Sequence, residues 1–294
     1  MRFTKRTRLS TDIEDRRGQG PSRRGAVAIG GGGLSIGVIL LVLLTSVLGD
    51  GGGDLGAILT ELAEPGVAPA PDGASVQTGG PATSDQDAFI SFVLDDVQDF
   101  WTEQFASSGR SYQRSTLVLY TGGTDTAGCG YGSAAVGPFY CPADQQVYID
   151  LAFFEQLASR FGAPGDFAQA YVLAHEIAHH VQHELGISEQ VRARQQEDPA
   201  GAAELSVRLE LQADCLSGVW AYSALDADLL EDGDLEEGLQ AAAAVGDDAI
   251  QEGAGRAVNP ETWTHGSSAQ RTRWFRVGFD TGDLNACDTF SNDI

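Results

Sequence analysis

Lysine is almost missing from this chain: Lys5 is the only one among 18 basic residues, against 42 acidic ones. The net charge of −24 excludes an ordinary nucleic-acid binder, which needs a basic patch to neutralise phosphates. Cysteine is also scarce, with four residues and no C-x-x-C pair. That argues against a thiolate zinc site, and an even count favours two disulfides. Cys129 and Cys141 flank one Gly-rich loop and are expected to pair, leaving Cys215 with Cys287. Charge is absent altogether from residues 25–49, a run of 25 residues. As a helix this run would reach roughly 37 Å, enough for a bilayer core of about 30 Å. No A-x-A cleavage site directly follows it, so it reads as a spanning segment and not as a removed leader.

What is present divides at that run. Residues 1–24 hold eight basic and three acidic side chains. A basic flank is expected on the cytoplasmic side, which puts the acidic remainder outside. The organisation expected is therefore a basic cytoplasmic head (1–24), a transmembrane helix (25–49), a flexible Gly/Pro/Ala/Asp tether (50–85) and one globular domain (86–294). Within that domain Phe89, Phe92, Val93, Val97, Trp101 and Phe105 recur at helical spacing. The runs 115–121 and 145–154 are β-branched and aromatic and read as strands. From residue 165 onward the pattern is mainly helical, so the expected class is α+β.

The chemistry concentrates in one helix. Asp166 is expected to cap it and Gly186 to end it. Its buried stripe is Phe167, Tyr171, Ala174, Ala178, Val181 and Leu185. Beside the stripe stands HEIAH, with His175 and His179 four residues apart and so neighbours on the helix surface. Two imidazoles so placed can grip one metal ion, and Glu176 can serve water there as a general base. This is the H-E-x-x-H signature of zinc hydrolases. His180 and His183 point about 140° and 80° away from His175 and are read as non-ligands. A catalytic zinc needs a third protein ligand. No histidine stands at 189, so the metzincin spacing is absent. The segment ELSVRLELQADCLSGVWA offers Glu204, Glu210 and Asp214. Glu210 and Asp214 share a face of an apolar helix and need a partner or a metal there. Glu210 is chosen as ligand, with Asp214 accepting the free N–H of a ligand histidine.

HEIAHHVQ followed by ELQADCLSGVWA resembles the bacterial neutral zinc metallopeptidases. The segments GCGYGSAAVGPFYCPADQQVYIDLAFF, THGSSAQRTRWF and CDTF agree, as does EDRRG ahead of a single span. The resemblance implies a minimal gluzincin-like peptidase fold with a small sheet, in which Glu210 and Asp214 act as ligand and supporting carboxylate. Related gluzincin-like peptidases carry a T-H-P-S-x-x-x-R segment near zinc, and here Gly266 replaces the proline. By that analogy His265 stabilises the oxyanion and Arg271 braces a buried carboxylate. Ser267 and Gln270 form a capping box just after His265. In such enzymes an edge strand pairs with extended substrate. QVYID (146–150) is the candidate, with Tyr148 near the site. The expected cofactor is Zn2+, and the expected partners are a protein or peptide substrate and a membrane, without nucleic acid. Two other readings use the same residues: a catalytically silent zinc-containing interaction module, and a zinc amidase acting on cell-wall crosslinks. Glu176 separates the first, since a purely structural site has no need of it.

Overall fold

The computed structural model describes residues 1–3, 7–18 and 78–294. The expected span 25–49 and most of the tether lie outside the described residues. Among the described residues no helix is long and apolar enough to cross a membrane.

Helix α1 (Asp85–Ser107) starts where Ser84 accepts the Asp87 N–H, and it buries Phe89, Val93, Val97, Trp101 and Phe105, as the spacing predicts. Four strands form the main sheet: β1 (Ile13–Asp15), β2 (Thr116–Tyr120), β6 (Gln146–Asp150) and β5 (Phe139–Cys141), in that spatial order. β1, β2 and β6 run parallel, and β5 returns antiparallel to β6. β3 (Gly123–Asp125) and β4 (Tyr131–Ser133) make a separate hairpin. β6 stops at Asp150 because its carboxylate accepts the Ala152 N–H and starts helix α2 (Ala152–Ser159), so Phe153 and Phe154 are helical and not part of a strand.

Six further helices follow: α3 (Asp166–Glu184), α4 (Ile187–Glu197), α5 (Ala202–Asp226), α6 (Asp234–Ala244), α7 (Asp247–Gly253) and α8 (Ser268–Thr281). The fold is thus α+β and mainly helical, as expected. α3 begins at Asp166, but the cap position is Gly165. The orphan Phe167 N–H donates to Glu237 on α6 instead. At the other end Gly186 takes a left-handed φ of 75°, which turns the chain sharply into α4. The predicted stripe is buried from Phe167 to Val181, and Leu185 is half-buried. α5 and α8 pack along one another at very short range. Gly218 and Gly278 make this possible, since a Cβ on either would overlap a backbone carbonyl of the other helix. Both expected disulfides form, Cys129–Cys141 and Cys215–Cys287. The second ties the C-terminal segment to α5.

The head does not stand apart. β1 aligns Ile13 with Leu117 of β2, and Leu9 and Ile13 are buried. Leu9 N–H donates to Gly80 O and Ala82 N–H to Thr7 O, so the head also pairs with the chain just ahead of α1. Arg17 forms ion pairs at 2.7 Å with Asp15 and with the fully buried Asp87, and Arg114 reaches Asp12 at 2.6 Å. The ion pairs run both ways: Arg17 of the head meets a carboxylate of the body, and Arg114 of the body meets one of the head.

Candidate metal centre

α3 and α5 bring together three residues far apart in sequence. His175 Nε2 lies 3.1 Å from Glu210 Oε2, and His179 Nε2 lies 3.4 Å from Glu210 Oε1. Ligand atoms of His175, His179 and Glu210 all fall within 4.8 Å of one another. His175 and Glu210 are buried, and His179 is half-buried. Two imidazoles and a carboxylate facing one point suit a tetrahedral N/O site with one position left for water. His180 is engaged elsewhere: its Nε2–H donates to Gln113 O at 2.5 Å and its Nδ1 accepts from Tyr140. His183 faces Glu189. Neither belongs to the cluster.

The far side of His175 is equally ordered. Its Nδ1 lies 2.9 Å from Asp214 Oδ1, so an Nδ1–H donated there leaves Nε2 turned to the cluster. Asp214 accepts two bonds from Arg271 on α8, both at 2.9 Å, and one from the Tyr171 hydroxyl at 2.6 Å. Arg271 therefore braces a buried carboxylate, as the analogy implied. Burial would raise the Asp214 pKa, but Arg271 and His175 outweigh it and hold the carboxylate ionised. Burial also opposes charge on His175, yet Asp214 and Glu210 raise its pKa to about 9 in the metal-free chain. For Glu210 the burial cost is overcome by His179 and His175, which push its pKa well down. Glu176 is the exception. Burial dominates there and raises its pKa, despite the nearby histidines. A carboxyl group poised upward in this way is suited to accept and release protons.

His265 is buried, with Nδ1 3.1 Å from Asp247 Oδ1. The same carboxylate accepts the backbone N–H groups of Thr264, His265 and Gly266 at 2.7, 2.7 and 3.1 Å. Burial works against protonation of His265, but Asp247 and the charge of Glu210 raise its pKa. The capping box of Ser267 and Gln270 follows as expected.

The sheet departs from expectation. β6 is interior, paired on both sides, and is not an edge. Tyr148 is fully buried, donates to Asp144 at 2.7 Å and stacks on Phe139. It serves the sheet. Alternation alone cannot tell an edge strand from an inner one, since both bury a face. The strand beside α3 is β5, whose Tyr140 bonds His180. Three site residues escaped sequence reasoning: Tyr171, taken as core; Gln182, one turn beyond His179; and Asp247, whose partner lies 18 residues away. A second group of carboxylates, Asp166, Asp234 and Glu237, offers no imidazole. The Met1 ammonium occupies it, 2.8 Å from Asp166 and 3.1 Å from Asp234.

The chain is 44% identical over 292 residues to the uncharacterized protein YpfJ of Escherichia coli K12, covering 98% of each. It is 51% identical over 191 residues to the uncharacterized protein Rv2575 of Mycobacterium tuberculosis H37Rv, covering 61% of this chain and 64% of that one. No solved structure matches. Residues 1–290 match one family model, and the chain belongs to the family described as "Putative neutral zinc metallopeptidase".

Proposed function

We propose that this chain is a zinc-dependent peptidase held at a membrane, with His175, His179 and Glu210 as the metal ligands and Glu176 as general base. The observation that carries the reading is the convergence of two imidazoles and a carboxylate from α3 and α5 beside a buried Glu176. Bound zinc supplies Lewis acidity toward water and the scissile carbonyl. The Glu176 carboxylate takes a proton from the attacking water and passes it to the leaving amine. His265, held by Asp247, donates to the carbonyl oxygen as negative charge develops. Asp214, held by Arg271 and Tyr171, keeps His175 in the tautomer that faces the metal.

The charge-free run 25–49 is the proposed membrane contact. Docking of residues 1–3 and 7–18 on the domain supports a head and a domain on one side of that membrane, in place of the opposite sides that a single crossing gives.

The test is metal content of the purified full chain together with peptide hydrolysis, for the unaltered protein and Glu176→Gln. About one zinc per chain is expected in both. Hydrolysis in the variant should fall by about 10²–10⁴-fold, the usual worth of a general base. Equal peptide hydrolysis by the Glu176→Gln variant and the unaltered chain would overturn the assignment.

A further inference from the structure

Each candidate zinc histidine turns its Nδ1 away from the cluster, but the two meet different partners. His175 meets a carboxylate; His179 meets a neutral amide, Gln182 Oε1, at 2.9 Å. Gln182 is fully buried, so its orientation is set by the protein alone. Its Nε2 donates to the Leu209 carbonyl on α5 at 2.7 Å and to Gln212 Oε1 at 3.1 Å. Gln212 Nε2 in turn donates to the Cys287 carbonyl at 3.1 Å.

The polarity of this chain of bonds is fixed at its far end. A backbone carbonyl can only accept. Leu209 O therefore demands the NH2 end of Gln182. Cys287 O demands the NH2 end of Gln212, which leaves the Gln212 oxygen facing Gln182. Reversing either amide would set oxygen against oxygen inside a buried site, where an unsatisfied polar group costs about 1–3 kcal/mol. With Gln182 Oε1 so locked toward His179, Nδ1 must carry the hydrogen, and the Nε2 lone pair is the one left to bind metal. Cys287 itself is pinned to α5 through its disulfide with Cys215, one residue from Asp214.

We infer that Gln182 is a positioning residue for the metal site: it fixes the tautomer and ring orientation of His179, and Gln212 and the Cys287 carbonyl hold it in place. The inference rests on the zinc reading above and deepens it. It assigns the two histidines unequal support, charged for His175 and neutral for His179, and it makes the disulfide-anchored C-terminal segment part of the metal site's frame.

The experiment is zinc affinity of the full chain by competition with a chelator, read beside the melting temperature of the metal-free protein. Gln182→Met keeps the volume and removes the acceptor; it should weaken zinc by about 10–100-fold, the usual cost of losing such a partner. Gln182→Glu restores an acceptor for His179 Nδ1–H and should hold zinc much more tightly than Gln182→Met, although it loses the bonds to Leu209 and Gln212. Gln212→Met leaves the direct contact and should cost less than Gln182→Met. A cobalt-loaded sample adds a readout, since a misplaced His179 should alter its visible absorption in the Gln182→Met variant. Unaltered affinity in Gln182→Met, or equal loss in Gln182→Met and Gln182→Glu, would overturn the inference while leaving the zinc reading in place. An unaltered chain that binds no zinc would overturn both.

Discussion

At the residue scale, the centre is a balance of buried charges. His175, Glu210, Asp214 and Arg271 are all buried, and none would stay charged alone. They stay charged because each faces an opposite charge. The consequence is a pH dependence with two opposed parts. In the metal-free chain the His175 pKa is raised from 6.5 to about 9. Protonated His175 therefore stabilises the metal-free fold fully below about pH 6.5, and that stabilisation is lost as pH rises toward 9. Zinc needs the neutral imidazole, so its affinity runs the other way and rises with pH up to about 9, by about tenfold per unit for a single displaced proton. The rise in melting temperature caused by saturating zinc should accordingly grow between pH 6.5 and 9. A zinc-induced shift that is constant over that range would show that His175 is not a ligand.

The element scale is governed by how closely α5 and α8 approach. α5 carries Glu210 and Asp214, and α8 carries Arg271, so the crossing sets the distance from the guanidinium to its carboxylate. Gly218 and Gly278 hold that distance down. Gly278→Ala would place a methyl against the Cys215 carbonyl. The expected cost is about 1–3 kcal/mol from overpacking, read as a lower denaturation midpoint, together with weaker zinc binding as Arg271 moves from Asp214. Gly253→Ala is the control, because a methyl there meets nothing within 4 Å; it should leave both quantities unchanged. Loss of stability without loss of zinc affinity in Gly278→Ala would mean that the crossing does not set the site.

Across the whole molecule, the arrangement that matters most is the docking of residues 1–3 and 7–18. β1 completes the sheet beside β2, and Arg17 pairs with a buried Asp87. Chain segments on opposite sides of a bilayer cannot pair in this way. Arg8 and Pro81 face each other in an antiparallel bridge, flanked by the Leu9–Gly80 and Ala82–Thr7 backbone bonds. That is the closely spaced kind of pair, compatible with a disulfide. With the chain held at a membrane as proposed above, Arg8→Cys and Pro81→Cys in the full chain, oxidised in isolated membranes, should yield a cross-linked peptide on non-reducing mapping. If no cross-link forms while both cysteines label readily after solubilisation, the head and the domain lie on opposite sides of the membrane.

The sequence by itself determined whatever depends on neighbours along one helix. His175, Glu176 and His179 were legible because 3.6 residues per turn places i and i+4 on one face, and the buried stripe of α3 was legible for the same reason. Glu210 and Asp214 could be read as a pair on their own helix because charge in an apolar segment needs a partner. The disulfides followed from counting. Tertiary structure decided which helix meets which, and therefore everything that joins distant positions: Tyr171 and Arg271 on Asp214, Asp247 on His265, and the path from Gln182 to Cys287. It also decided that β6 is interior and that Ile13–Asp15 add a strand beside β2. Those outcomes rest on contacts between residues up to 233 positions apart. No local periodicity records such contacts, because their free energy comes from burial and charge pairing that exist only after the chain has closed on itself.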